Sequence, residues 1–537
     1  MHPQLSNHSA HRKPYQRART ILIAALIAAP SWAGAGMPAD KILDMGLAEL
    51  RSALDSGAIT SAELVGAYLK QIETYDRPAD GIHAVLAINE KAMEQATAWD
   101  ARRAQHGANQ RNAPLAGIPF LAKDNFDVAG MPNTGGSLAL NGSIPATNAF
   151  VVQKLLDQGA ILLGKTNMSE LAASYGWYGY SSVGGQTLNP FNPLRTADGS
   201  SSGSAAAVAA KFAPFALGTD TTGSIRSPAS VTGTVGMRTT LGLVSRSGII
   251  PMSLTADVAG AITRTVEDQA IVLDVIQGQD KSDAATEDVA RPQESLTTGL
   301  GIESLAGKTI AVVDNFDGAN HEVDDIKRRS VAAMEKAGAR IVHVRLPQVY
   351  ETLQPALLGP IGAAEFRPQF EAYLAGLPGG QPRDLREFMR RLDGYTDKGT
   401  RTINPGRYKG LVENLETGAT NSPAYIRMLS VVIPSLRREL VELMAQGRYD
   451  ALFFPTIGCS APVVPGKTDP TFVCKSYAYA AAKIASATGF SEITVNGGRS
   501  ASNIPVGVSF LGKAGDDAKI LKIGAAFERI RRSERKH

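Results

Sequence analysis

The sequence predicts an α/β fold, and three observations point there. From Leu115 onward, short apolar runs sit between glycines, as in "LAGIPFLAKDNFDVAG" and "GAILLGKTNMSELAASYG", the texture of buried strands leading into loops or helices. "KTIAVVDN", a helical stretch near Val323 to Ala337, and "ARIVHVRLP" form a βαβ unit. Towards the C-terminus, "YDALFFPT" and "IPVGVSFLG" read as buried strands, followed by a closing helix in "DDAKILKIGAAFERI". With 537 residues, 44% of them hydrophobic, the chain has ample material for a large core.

The elements follow in order. Arg12, Lys13, Arg17 and Arg19 precede a nine-residue apolar run, Ile21 to Ala29, and small residues follow it. A membrane span needs about twenty apolar residues, so residues 1–35 are expected to be a signal peptide. Residues 36–537 would then be periplasmic or secreted, with no stable membrane anchor after cleavage. The leader carries four basic and no acidic side chains, so the formal net charge of +4 falls to zero without it. A neutral chain has no electrostatic claim on nucleic acid or anionic membrane, and a small substrate is expected.

"LAELRSALDSG" has helical spacing and a Gly57 stop, and "TSAELVGAYLKQIETYD" opens with Thr60 and Glu63 at capping-box spacing. Gly278 to Gly307 is polar and reads as a surface connection; residues 350–430 read as a helical, Gly- and Pro-rich region that could cap a cleft. Cys459 and Cys474 could form a disulfide worth up to ~3 kcal/mol or remain two thiols. No CxxC or HExxH spacing occurs, so neither a metal nor another cofactor is expected.

The chemistry gathers around "ADGSSSGSAAAVAAKFAPFALGTDTTGSIRSPAS", residues 197 to 230. Gly199 to Gly203 fits GxSxG, but that motif needs a strand running into the turn, and "NPFNPLRTAD" has no apolar run. The histidines left after the leader are His83, His106, His321, His343 and His537, none of them in a glycine-rich loop. A Ser-His-Asp triad is therefore not expected. Lys123 ends the apolar run Ile118 to Ala122, and burial could lower its pKa far enough to make it a base; pairing with Asp124 is the plain alternative. In "FALGTDTTGS", a strand enters a tight loop carrying Ser224, where backbone amides from Thr221 to Ser224 could converge on one oxygen. Gly223 permits that backbone. Ser200 sits at the start of the alanine-rich helix, where an N-cap is its plain role.

Lys123, "GSSSGS", the helix and "GTDTTGSIRSPAS", in this order, resemble the amidase signature family, and bacterial peptide amidases most of all. "GKTNMSELA", "GGQTLNPFNP" and "GLVSRSGIIPMS" extend the likeness over almost the whole chain after the leader. The resemblance implies a single large domain with a mixed, mostly parallel central sheet covered by helices. It also implies a Ser-Ser-Lys triad of nucleophile Ser224, bridging Ser200 in a cis peptide and base Lys123, with the amides of Thr221, Thr222, Gly223 and Ser224 as oxyanion donors. Asp220 and Arg226 would brace the loop, and Tyr175 and Trp177, with Tyr178 and Tyr180 nearby, could wall the pocket. Thr222 stands where many members have glycine. Glu492 and Asn496 depart from the family's smoother strand and are expected at the cleft edge. The activity implied is hydrolysis of the C–N bond of a small carboxamide, a peptide amide or an aryl or alkyl amide, through an acyl-enzyme. Ester or anilide hydrolysis by the same triad, or a retired amide-binding protein, are the alternatives.

Overall fold

The glycine-punctuated apolar runs are the inner strands of one eleven-stranded sheet. The computed structural model describes residues 37–106, 113–396 and 402–534; the expected leader, residues 1–35, lies outside the described residues. In chain order the strands are β1 Val85–Ile88, β2 Pro119–Lys123, β3 Ile161–Thr166, β4 Phe215–Asp220, β5 Val235–Arg238 and β6 Val258–Thr263. They continue as β7 Thr309–Val313, β8 Arg340–Val344, β9 Ala451–Pro455, β10 Glu492–Arg499 and β11 Pro505–Leu511. Their spatial order is β1-β3-β2-β4-β6-β5-β10-β11-β9-β7-β8.

The sheet is mixed, as expected. Parallel pairs join β3, β2 and β4 at one side and β8, β7 and β9 at the other. The strands between them pair antiparallel, so that of ten neighbouring pairs four are parallel and six antiparallel. The connections explain this: β2 to β3, β3 to β4 and β7 to β8 each cross over through a helix, whereas β10 returns into β11 within a short turn. Strands β2, β3, β4 and β6 are buried at every position, because helices cover both faces; they read as continuous apolar runs rather than alternating ones.

The predicted local signals are present. Thr60 caps the helix Ser61–Tyr75, accepting from the Glu63 amide while Glu63 accepts from the Thr60 amide. The βαβ unit is β7, the helix His321–Lys336 and β8. Between Gly278 and Gly307 only one short turn of helix occurs. Cys459 and Cys474 are joined in a disulfide, with Cα atoms 5.6 Å apart. Among the described residues, no helix is long and apolar enough to cross a membrane.

Within 350–430 the helices Gly359–Ala375, Leu385–Thr396 and Pro405–Glu416 share a separate apolar core built on Phe366, Phe370 and Phe388. The alanine-rich helix Ser202–Ala209 is buried around its circumference, as a helix apolar on all sides must be. At its start Gly203 leaves no room for a side chain: a Cβ there would lie 2.4 Å from the Ala84 carbonyl oxygen and 2.5 Å from that of Asn167. Both obstacles are backbone. Gly203→Ala is therefore expected to lower stability by ~1–3 kcal/mol or more, read as a lower urea midpoint; an unchanged midpoint would show that the helix start is not clamped there.

Candidate active site

Strands β2 and β4 are parallel neighbours, so their C-terminal ends open on the same side of the sheet, where α/β folds build sites. Lys123 is the last residue of β2, and β4 hands over at Asp220 to the loop Thr221–Ser224. Lys123 is fully buried. Its Nζ lies 2.7 Å from Ser200 Oγ, 3.0 Å from Ser201 Oγ and 2.8 Å from Thr219 Oγ1. Burial lowers its pKa to about 7, against the opposing pull of the Asp220 and Asp257 carboxylates.

The surrounding hydrogen bonds orient the amine. Ser201 Oγ donates to the Thr219 carbonyl at 3.1 Å, so towards Lys123 it is an acceptor. Thr219 Oγ1 also accepts from Asn125 Nδ2 at 3.1 Å. A neutral amine that gives its two N–H bonds to Ser201 and Thr219 keeps its lone pair for the Ser200 hydroxyl. That is the geometry a general base needs.

The two glycine- and serine-rich turns are tied directly, because the Ser201 amide donates to the Ser224 carbonyl at 3.1 Å. The Gly199–Ser200 peptide bond is cis. Ser200 does not cap the helix: the N-cap position is Ser201, whose side chain makes no capping bond. A strand does precede the turn, Asn192–Thr196, but it is one arm of a two-stranded hairpin rather than part of the central sheet. Its proline and polar residues are why it does not read as a strand. Among the described residues no histidine lines the cleft; His343 lies on edge strand β8, 3.0 Å from Asp314.

Asp220 organises the loop ahead of Ser224. Its carboxylate accepts from the Gly223 amide at 2.8 Å and the Ile225 amide at 3.2 Å. Arg226 Nε reaches it at 2.9 Å and Arg238 Nη1 at 3.1 Å. Burial alone would raise the Asp220 pKa, but the two guanidiniums hold it well below the carboxylate range. The Gly223 amide is thus committed to Asp220, which corrects the expectation that it serves an oxyanion. The amides of Thr222 and Ser224 bond to no group among the described residues and remain for a ligand.

Glu492 is a second correction. It begins β10 opposite Arg238 in the middle of the sheet, fully buried, and accepts from Arg226 Nη1 at 2.6 Å. It therefore lies behind the Ser224 loop rather than at the cleft edge. Asn496 is also absent from the edge, its Oδ1 taking the Gly498 amide within β10.

Gly199 and Thr221 to Ser224 line a cleft of about 550 Å³, a size that suits a small ligand. Tyr175 and Tyr178 also line it, and Gly359, Gly362, Gly410 and Asn414 bring in the 350–430 region. Gly406 and Gly410, one helical turn apart, are the slot for Tyr175: a Cβ at Gly410 would lie 2.5 Å from its hydroxyl. Trp177 does not line the cleft. Its ring turns away to meet Tyr180 edge-on, 4.9 Å between centroids, since adjacent residues of one tight turn cannot all face one pocket. Asp198, Tyr479 and Lys483 are among the lining residues that sequence reasoning missed. The signal for the last was available, a lone lysine inside the apolar "AAAKIASATG".

Comparisons with known proteins bear on the family and the fold. The family model described as Amidase matches residues 63–521. The chain is 32% identical to a glutamyl-tRNA(Gln) amidotransferase subunit from Roseobacter denitrificans, over 91% of this chain and 97% of that protein. Among solved structures, the native peptide amidase from Stenotrophomonas maltophilia is 33% identical with a TM-score of 0.80, covering 91% of this chain and 97% of that one. A bacterial aryl acylamidase of the amidase signature enzymes is 25% identical with a TM-score of 0.73, covering 90% and 96%.

Glu492→Ala removes one partner from a guanidinium that has no access to water. Breaking a buried pair from one side costs about 3–5 kcal/mol, so a large drop in the urea midpoint is expected. A midpoint within experimental error of wild type would mean that Arg226 does not depend on Glu492.

Proposed function

The chain belongs to the amidase family, enzymes acting on amide C–N bonds, and from that premise we propose that it is an exported amidase of small carboxamides using Ser224, Ser200 and Lys123. The observation that carries the reading is a fully buried Lys123 with its Nζ 2.7 Å from Ser200 Oγ, beside the loop that bears Ser224. With a pKa of about 7, roughly half of Lys123 is amine at neutral pH. A solvated lysine would be amine about once in 2,500 molecules.

The proposed mechanism is a proton relay through these three side chains. Lys123 takes the Ser200 proton as Ser200 takes that of Ser224, and Ser224 Oγ bonds to the amide carbon. The amides of Thr222 and Ser224 receive the oxyanion. The relay then returns the proton to the departing nitrogen, the C–N bond breaks, and an acyl-enzyme remains for water to hydrolyse by the same route. An amide nitrogen leaves only when protonated, which gives a reversible relay its value.

The cleft volume and the likeness to a peptide amidase favour a short peptide amide as substrate; the aryl acylamidase likeness keeps anilides as the second reading. The amidotransferase relatives do not shift it towards RNA. Without the first 35 residues the chain holds 51 basic and 51 acidic side chains, leaving no net charge to attract a polyanion. Export is supported by the leader pattern and by the Cys459–Cys474 disulfide, which suits an oxidising compartment.

Ser224→Ala is expected to cut hydrolysis of amidated peptides by on the order of 10⁴-fold or more, with the fold intact by circular dichroism; retained turnover would overturn the assignment. For wild type, kcat/KM should climb about tenfold per pH unit below pH 7 and stop climbing above it, because the amine is the active form. Lys123→Ala should lose that limb along with ~10²–10⁴ of the rate. N-terminal sequencing of protein from the native host tests export; a chain still beginning at Met1 in the cytoplasm would refute it.

A further inference from the structure

The helix Pro405–Glu416 has glycine at 406 and 410, and glycine inside a helix costs ~1 kcal/mol relative to alanine. Tyr175 carries a local cost of its own. Its φ is 44°, left-handed backbone that is an outlier for a bulky side chain, and nearby Leu171 and Ala172 have φ of 49° and 59°. Such residues cost ~1–3 kcal/mol each and persist where their surroundings dictate them. The two costs meet in one contact. A Cβ at Gly406 would lie 2.7 Å from the Tyr175 Cβ, and one at Gly410 would lie 2.5 Å from the Tyr175 hydroxyl, so the side chain runs along both notches.

We propose that Gly410 and Tyr175 together determine which amides the cleft takes: the glycine slot holds the Tyr175 ring back, leaving room beside it for a large apolar or aromatic side chain on the acyl part of the substrate. The inference rests on the amidase reading above and deepens it. In a peptide amide the whole chain is acyl, since only ammonia leaves. Tyr175 packs against the helix and is still 50% exposed, and both residues line the cleft. An accessible ring on a fixed backbone is a surface for apolar and ring–ring contact. Leu358, Gly362 and Ala363 of the 350–430 region line the same cleft, as does Met252.

The turn that bears Tyr175 is tied to the start of the helix. Asn404 Nδ2, at the N-cap, donates to the Ser174 carbonyl at 2.6 Å, and the Tyr180 hydroxyl donates to the Thr402 carbonyl at 2.6 Å. The buried Arg407 guanidinium, next to Gly406, lies 6.0 Å from the Tyr175 ring centroid and 4.6 Å from that of Phe366. The two glycines differ in what they meet. At 406 the obstacles are the Tyr175 Cβ and, at 3.2 Å, its carbonyl oxygen, both fixed to the backbone. At 410 the obstacle is the ring tip, the hydroxyl at 2.5 Å and Cζ at 2.7 Å, which side-chain rotation can displace. A methyl group at 410 therefore moves the ring rather than the turn, and the open volume that the ring borders is the cleft.

The test measures kcat/KM for N-acetylphenylalaninamide and N-acetylglycinamide in wild type, Gly410→Ala, Tyr175→Ala and the double variant. Gly410→Ala is expected to lower the phenylalanine-to-glycine ratio about tenfold or more, the scale on which an apolar pocket resolves small differences in size. Tyr175→Ala should lower it as well, by removing the wall. In the double variant the two losses should not multiply, because without the ring the added methyl group has nothing to displace. An unchanged ratio in Gly410→Ala overturns the proposal, and so do losses that multiply, which place the effect of the methyl group elsewhere than on Tyr175. Should Gly410→Ala not fold, Tyr175→Ala decides: a lowered ratio supports the proposal and an unchanged one overturns it. A wild type that cleaves neither compound sinks the amidase reading, and calorimetric titration with N-acetylphenylalaninamide then decides this one. Binding at least tenfold weaker in Gly410→Ala than in wild type supports it; equal binding, or none, overturns it.

Discussion

An ionisable side chain without water, at the end of a strand that cannot move, is the constraint on which the site depends. Lowering the pKa of Lys123 from 10.5 to about 7 corresponds to roughly 5 kcal/mol against the ammonium form. That cost is imposed by the fold, since β2 is buried throughout and lies between two parallel neighbours. A lysine on a loop would relax towards solvent and recover its charge. Here the backbone is fixed by ladder hydrogen bonds on both sides, and the side chain finds three hydroxyls instead of water.

The loop that carries Ser224 depends on a charge cluster set behind it. Asp220, Arg226, Arg238 and Glu492 are all fully buried, two carboxylates against two guanidiniums. Such clusters do not maximise stability, because desolvating four charges offsets most of what their attraction returns. They do define one arrangement. Asp220 accepts loop amides on both sides of Ser224 while Arg226, the first residue of the following helix, grips the same carboxylate. The loop is thereby fixed from beneath, with its upper face left to the cleft.

Much of this was legible in the sequence, and the limits have physical reasons. Lys123 and Ser224 stand out because each follows an apolar run that has to be a buried strand, and Thr60 with Glu63 announces a helix start through local geometry alone. Glu492 could not be placed that way. Its partner Arg226 is 266 residues distant, and only the pairing of β10 with β5 brings the two together. The same holds for the slot of Gly406 and Gly410, whose meaning depends on Tyr175 arriving from another part of the chain. Trp177 was misplaced because composition shows which residues suit a pocket wall, whereas the turn decides which of them faces it. Parallel pairing reads easily from helical crossovers. The antiparallel centre does not, since strands buried on both faces look alike in either direction.

The arginines also explain why Lys123 can remain an amine so near a carboxylate. Asp220 pulls the Lys123 pKa upward, and an uncompensated carboxylate at that depth would favour the ammonium form. Arg226 and Arg238 are in contact with Asp220, whereas Lys123 is not, so their positive charges oppose the carboxylate's field. Glu492 in turn compensates Arg226, which would otherwise carry surplus positive charge into the core. Basicity at Lys123 is therefore a property of the whole cluster and of the β4, β5 and β10 strands that align it. It also gives Arg226, a buried arginine two residues past Ser224, a strong influence on Lys123.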